Sequence, residues 1–193
     1  MSDAIKVIRG EHRNLVALLA CMKGVVRDAE RTGNPPDGAL IEAMLDYLAN
    51  YLNQYHHPKE TRFLFPVLRR RHQGSIGVLA ELEEEHDEVA GQIEALRGLL
   101  AACQDGDPGS LKALRQAVES YVEFEMEHMG REEREILPAA LEHLQDEDWT
   151  AINAAFADNR DPLFGSERKG AFKSLFSEIA ARAPAPHGFG KAS

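Results

Sequence analysis

Two stretches of this chain follow one pattern: His56-His57-Pro58-Lys59-Glu60 and His128-Met129-Gly130-Arg131-Glu132. In each stretch a histidine precedes a glutamate by four residues, and a proline, Pro66 or Pro138, stands ten residues after that histidine. Residues four apart on a helix lie on the same face. Each stretch therefore predicts a helix that presents an imidazole and a carboxylate in one direction, and the pattern occurs twice.

A second pair of matching segments, Glu11-His12 and Glu85-His86, precedes the two copies. Each of these histidines interrupts an apolar pattern with the three-four spacing of a helix. The duplicated unit is therefore a pair of helices, and two such units predict an all-α, up-down-up-down four-helix bundle. Polar groups from all four helices are expected to meet inside it.

The candidate metal ligands share an apolar helix face and a repeated position. They are His12, His56, Glu60, His86, His128 and Glu132. Imidazoles with carboxylates suit iron, zinc, copper or manganese. We expect two metal ions, each bound by two imidazoles and bridged by both glutamates.

Two further residues are alternative ligands. His57 adjoins His56 and would face inward if Pro58 distorts the helix, and Glu133 adjoins Glu132. Proline in a helix interior removes a hydrogen bond, so we expect a distortion at Pro58 and at Gly130, the matching position of the second copy. The carboxylates expected to orient the imidazoles are Glu11, Glu85, Glu125 and Glu133.

Composition argues against a nucleic-acid partner. The 193 residues include 32 acidic and 22 basic ones, for a formal net charge of −10, whereas binding to a phosphate backbone requires a basic surface. The short run Arg69-Arg70-Arg71 is interpreted as the positive C-terminal end of a helix.

The sequence also predicts a cytoplasmic protein. No apolar run approaches the roughly 20 residues of a membrane-spanning helix, and the N-terminal residues lack the pattern of a signal peptide. The two cysteines, Cys21 and Cys103, are too far apart in the sequence for a C-x-x-C motif. They predict neither a disulfide framework nor a thiolate metal site.

We expect three regions along the chain. The bundle occupies residues 1–145, a helical extension packs on it at residues 146–183, and residues 184–193 form a disordered tail. The aromatic and aliphatic side chains of the extension require an apolar surface to cover. They are Trp149, Ile152, Phe156, Phe172, Leu175, Phe176 and Ile179.

The motifs resemble those of the hemerythrin family, in particular the bacterial His-His-Glu cation-binding domains, over residues 5 to about 145. The resemblance implies a non-haem di-iron centre inside the bundle. In oxygen-carrying members the third helix supplies two histidines four apart, whereas Leu82 and Ala90 stand four residues from His86 here. In those members the last motif ends in an acid five residues after its histidine, which is Glu133, while the internal repeat points to Glu132.

The resemblance therefore implies sensing, iron-handling or oxidant-handling more than reversible oxygen carriage. Our leading prediction is a module that binds two iron ions, replaceable by zinc or another divalent metal, and senses or buffers oxygen, nitric oxide, peroxide or iron. The alternative is a redox enzyme that reduces peroxide or oxidises ferrous iron at the same centre. A metal-free helical scaffold is the third and least favoured prediction.

Overall fold

A computed structural model describes residues 2–157 of the chain, together with residues 177 and 181. It confirms the all-α prediction, with five helices and no strand in the part of the chain that is described. The helices are α1 at Asp3–Thr32, α2 at residues 38–71, α3 at Ile76–Gln104, α4 at residues 110–143 and α5 at Asp146–Ala157. Helices α1 to α4 form the antiparallel bundle.

Helices α2 and α4 change locally from α-helical to π-helical hydrogen bonding. A proline has no N–H, and its ring clashes with the carbonyl four residues upstream. Wider π turns relieve such a conflict and are common at functional sites. The π-helical segments are Leu48–His56 before Pro58, Glu60–Leu64 around the approach to Pro66, and Glu132–Ile136 before Pro138.

The distortion predicted at Pro58 is therefore present, but the prediction of a distortion at Gly130 is wrong. Helix α4 stays α-helical from Ser110 to Arg131. A glycine retains its N–H and adds no ring, so the regular hydrogen bonds continue through it. Glu60 and Glu132 each begin a π-helical segment of five residues, which places the two carboxylates alike.

The interior contains two apolar cores separated by a polar layer. The larger core includes Leu15, Met22, Leu52, Val89 and Val118. The smaller one includes Ile5, Ile8, Leu64, Leu79, Leu82 and Ile136. Each bundle helix passes from one core to the other, and its buried histidine or glutamate lies at the crossing. Apolar packing on both sides thus fixes the depth of the polar layer.

Helix α5 packs on α1 and completes the smaller core, where Ile152 and Phe156 are fully buried. The division of the chain at residues 145 and 183 stays a prediction. Phe172, Leu175, Phe176 and Ile179, like the predicted tail at 184–193, lie outside the described residues. Among the described helices, none combines the length and apolar character needed to cross a membrane.

Candidate metal centre

Two groups of buried side chains lie side by side in the polar layer. The first, here called the two-histidine cluster, contains His12 and His56 with Glu60 and Glu132. The second, the three-histidine cluster, contains His57, His86 and His128. Within each group the candidate ligand atoms all lie within 4.8 Å of one another.

Both glutamates reach from one cluster to the other. The carboxylate of Glu60 has Oε1 at 3.5 Å from Nε2 of His56 and Oε2 at 3.8 Å from Nε2 of His86. The carboxylate of Glu132 has Oε2 at 3.2 Å from Nε2 of His12 and Oε1 at 3.6 Å from Nε2 of His128. Each carboxylate therefore offers one oxygen to each cluster.

The structure brings together all six principal candidates and adds His57. The imidazole of His57 is 3 % exposed and stacks on that of His86, with ring centroids 3.9 Å apart. We expected two imidazoles for each ion, whereas one cluster contains two imidazoles and the other contains three. The feature of the sequence that pointed to His57 as a ligand was Pro58. The π-helical segment upstream of Pro58 widens the helical turn, so that both His56 and His57 are buried.

Four of the five imidazoles have a partner on the nitrogen that faces away from the clusters. Nδ1 of His56 donates to Oε2 of Glu11 at 2.8 Å, and Nδ1 of His128 donates to Oε2 of Glu85 at 2.7 Å. Such contacts fix the orientation and tautomer of a ligating histidine. Since Nδ1 carries the proton in this arrangement, Nε2 of each ring keeps a lone pair that a metal could bind, although Nε2 of His128 also lies 3.1 Å from Nε2 of His86.

The other two partners also match by repeat position. Nδ1 of His12 lies 3.1 Å from Oε1 of Glu133, and Nδ1 of His86 lies 3.0 Å from Oγ1 of Thr61. Glu133 is one-third exposed and also accepts a hydrogen bond from Arg9 at 2.9 Å. Its carboxylate thus lies outside both clusters. Glu125 was also expected to orient an imidazole. Among the described residues, however, none of the hydrogen bonds to a histidine ring involves Glu125.

Burial and close charges give the site mixed protonation. Burial, reinforced by the nearby Glu132, holds the pKa of Glu60 well above its ordinary value. Burial also lowers the pKa of His86 to about 3, with a further contribution from His128. At His12 burial is outweighed by Glu132 and Glu133, which raise its pKa to about 9. Protons here are held by groups that a metal ion would also bind, so a cation would compete with them.

Most of the buried polar atoms that face the clusters lack hydrogen-bond partners within the described residues. The unpaired atoms are Nε2 of His12 and His56, both ring nitrogens of His57, and all four carboxylate oxygens of Glu60 and Glu132. The exceptions are Nε2 of His86 and Nε2 of His128, which lie 3.1 Å apart. Unpaired buried groups cost several kcal/mol each, roughly 2–7 by transfer estimates. Metal coordination would satisfy the carboxylate oxygens, Nε2 of His12 and His56, and one ring nitrogen of His57, so the residues present fit a metal site.

A surface cavity of about 390 Å³ adjoins the two-histidine cluster. Its lining combines His12 and Glu133 from the site with apolar and basic side chains: Arg9, Arg13, Val16, Met126 and Met129, along with Gly130. Met129 occupies the repeat position of His57, so the second copy supplies no imidazole here. The two-histidine cluster consequently has one protein ligand fewer, on the side of the cavity.

Comparison with known proteins places the chain in a family. The sequence pattern of the family described as the hemerythrin HHE cation-binding domain matches residues 3–140. No curated protein and no solved structure gave a significant match. The family match covers most of the chain and every residue of both clusters, which confirms the resemblance of the motifs. The chain belongs to the hemerythrin family and carries its HHE cation-binding domain.

Proposed function

We propose that this protein binds two iron ions in adjacent positions and uses them to bind a small ligand such as oxygen, nitric oxide or peroxide. The first ion is assigned to His12 and His56, the second to His57, His86 and His128. Glu60 and Glu132 bridge the two. The observation that carries this proposal is the direction of those carboxylates, each with one oxygen toward either cluster.

The five imidazoles and two carboxylates match the chemistry of iron. Their nitrogen and oxygen donors suit several divalent metals, and zinc or manganese is an expected substitute in iron-poor conditions. His57 supplies the third imidazole that α3 lacks at Leu82 and Ala90. Iron bound here would supply redox chemistry and an open coordination position for a diatomic or peroxidic ligand.

We assign the open coordination position to the two-histidine cluster. It has two imidazoles, not three, and the cavity next to His12 and Met129 gives a route from the surface. Apolar side chains on both sides of the polar layer limit water near the site. We therefore propose sensing or buffering of oxygen, nitric oxide, peroxide or iron as the role, with redox turnover as the alternative.

Metal analysis of protein produced in iron-rich medium tests the proposal. We expect close to two iron ions per chain and, in oxidised protein, absorption bands of bridged ferric ions. Addition of nitric oxide to the ferrous protein is expected to change the spectrum at one iron of the two. A fully folded chain that binds no metal under these conditions overturns the proposal. An iron-loaded chain whose spectrum changes with none of oxygen, nitric oxide and peroxide overturns it as well.

A further inference from the structure

Three tyrosines form a row along helix α2. Tyr47, Tyr51 and Tyr55 are spaced by four residues, and their rings stack with centroids 5.3 Å apart for the first pair and 6.2 Å for the second. The interplanar angles are 26° and 23°. These separations lie within the range of interacting aromatic pairs, so Tyr51 and Tyr55 form a continuous π contact.

The inner part of this row is hydrogen-bonded to the metal centre. The hydroxyl of Tyr51 donates to Oε1 of Glu11 at 2.6 Å, while Oε2 of the same carboxylate accepts from Nδ1 of His56 at 2.8 Å. Tyr51 and Glu11 are almost completely buried, with exposures of 1 % and 2 %. One carboxylate thus connects a buried phenol to a candidate metal ligand.

The outer end of the row reaches solvent. Tyr55 is 39 % exposed, in contrast to Tyr47 and Tyr51. The path His56, Glu11, Tyr51 and Tyr55 therefore runs from the centre to the surface through one hydrogen-bonded carboxylate and one ring contact. The fourth tyrosine of the chain, Tyr121, is buried on α4 and belongs to no such row among the described residues.

We propose that this row is a one-electron path by which surface-accessible Tyr55 delivers reducing equivalents to the centre when it meets a peroxide. The inference rests on the proposed function, because it requires a metal that reduces the peroxide. It adds a specific exit for oxidising equivalents.

Electrons and protons move together along this row. Tyr51 loses one electron toward His56, and its hydroxyl proton moves along the existing hydrogen bond to Glu11. Tyr55 then returns an electron to Tyr51, the proton moves back from Glu11, and Tyr55 releases its own proton to solvent. One hydrogen peroxide takes up this electron, a second electron from a ferrous ion that becomes ferric, and two protons, and gives two water molecules.

The product on the protein side is dityrosine. Each chain that has reacted ends with a phenoxyl radical at Tyr55, and the radicals of two chains couple through a ring carbon–carbon bond. The ring hydrogen at each coupled carbon shifts to the phenoxyl oxygen, so both phenols are restored and no further oxidant is consumed. An external one-electron reductant, such as ascorbate, would instead return Tyr55 to its phenol.

Iron-loaded protein treated with hydrogen peroxide tests this path. We expect a tyrosyl radical by electron paramagnetic resonance in freeze-quenched samples, followed by dityrosine fluorescence and a covalent dimer on a denaturing gel. Tyr55→Phe should keep the radical, now at Tyr51, and lose the dimer. Tyr51→Phe should lose the dimer although Tyr55 remains exposed, and Tyr121→Phe is the matched control that should behave as wild type.

Iron per chain is measured on every sample, because Tyr51→Phe removes a contact to Glu11. Equal dimer in wild type and Tyr51→Phe at equal iron content would overturn the path, since it would mean that oxidants in solution attack Tyr55 directly. Loss of the radical in Tyr55→Phe would overturn it as well. A wild-type chain that binds no iron would overturn the proposed function, and this inference with it.

Discussion

The first and second halves of the bundle use equivalent residues to orient the candidate metal ligands. Glu11 contacts His56 as Glu85 contacts His128 at the matching repeat position, with Nδ1–Oε2 distances of 2.8 and 2.7 Å. In each half the acid that precedes one helix's histidine binds the histidine of the next helix. The repeat therefore preserves the outer contacts of the ligands as well as the ligands.

The halves differ at the positions around that common frame. The second carboxylate oxygen of Glu11, Oε1, accepts a hydrogen bond from Tyr51 at 2.6 Å, whereas Oε1 of Glu85 accepts one from Arg131 at 2.7 Å. Nδ1 of His12 faces the carboxylate of Glu133, while that of His86 faces the hydroxyl of Thr61. Duplication thus supplies equivalent candidate ligands in the two halves, and the unmatched residues make the two clusters unequal.

The largest expected effect comes from the residues that both positions share. Glu60→Ala and Glu132→Ala each remove a bridge, so both are expected to lower metal content and thermal stability alike. Metal binding to the native state alone contributes about 2.7 kcal/mol at a hundredfold excess over Kd, which is roughly 5–10 °C in Tm for a chain of this size. Metal analysis and thermal unfolding, with and without a chelator, measure both effects.

Glu133→Ala is the matched control for the bridging acids. It removes a carboxylate of the same charge from the next position. We expect it to retain two ions at saturating iron, with at most the affinity loss of an orienting partner, because Glu133 contacts His12 from outside both clusters. Wild-type metal content in Glu132→Ala, with loss of metal in Glu133→Ala, would show instead that Glu133 is the bridge.

A smaller effect is expected where only one half supplies a ligand. His57→Met gives the first copy the residue that the second copy has at Met129. It is expected to weaken binding of the second ion and lower the metal content at limiting iron, because the three-histidine cluster keeps two imidazoles while His12 and His56 are untouched. Met129→Leu, a volume-conserving control, should retain both ions. If His57→Met also retains both, the inequality of the two clusters has a different origin.

The outer carboxylates are expected to have a moderate and matching effect. Glu11→Gln and Glu85→Gln keep the shape of the side chain but remove the charge that orients His56 and His128. Loss of such a partner typically reduces metal affinity about 10–100-fold. Competition with a fluorescent chelator measures the change, and exposed Glu84→Gln is the control. A drop in only one of the two variants would break the equivalence of the halves.

The smallest effect is expected at the neutral partner. Thr61→Val removes the hydroxyl 3.0 Å from Nδ1 of His86 while preserving volume. Because a hydroxyl contributes less than a carboxylate, we expect a loss of affinity at or below the lower end of that range, about tenfold. The same chelator competition measures it. A loss as large as that in Glu11→Gln would contradict the difference between the halves.

The sequence was sufficient for the bundle and for most of the site. Regular three-four spacing in α1 and α3 predicted which faces are buried, and the single histidine in each pattern marked the depth of the polar layer. Glu132 could be preferred over Glu133 because the internal repeat places it opposite Glu60. These features depend on local spacing, which a single sequence displays directly.

The sequence was insufficient where the backbone departs from the α-helix. The inward position of His57 depends on the π-helical segment upstream of Pro58, and regular α-helical spacing turns it about 100° away from His56. The contacts of Thr61 with His86 and of Tyr51 with Glu11 cross between helices. Such pairings depend on how the helices pack, which spacing along one helix does not specify.

Anomalous scattering from crystals of the iron-loaded protein, measured at the iron edge, would locate the bound iron. We expect two peaks per chain in the polar layer, one beside His12 and His56 and one beside His57, His86 and His128, with Glu60 and Glu132 reaching both. A single peak, two ions with the same number of imidazole ligands, or iron bound elsewhere on the chain would contradict the proposed centre.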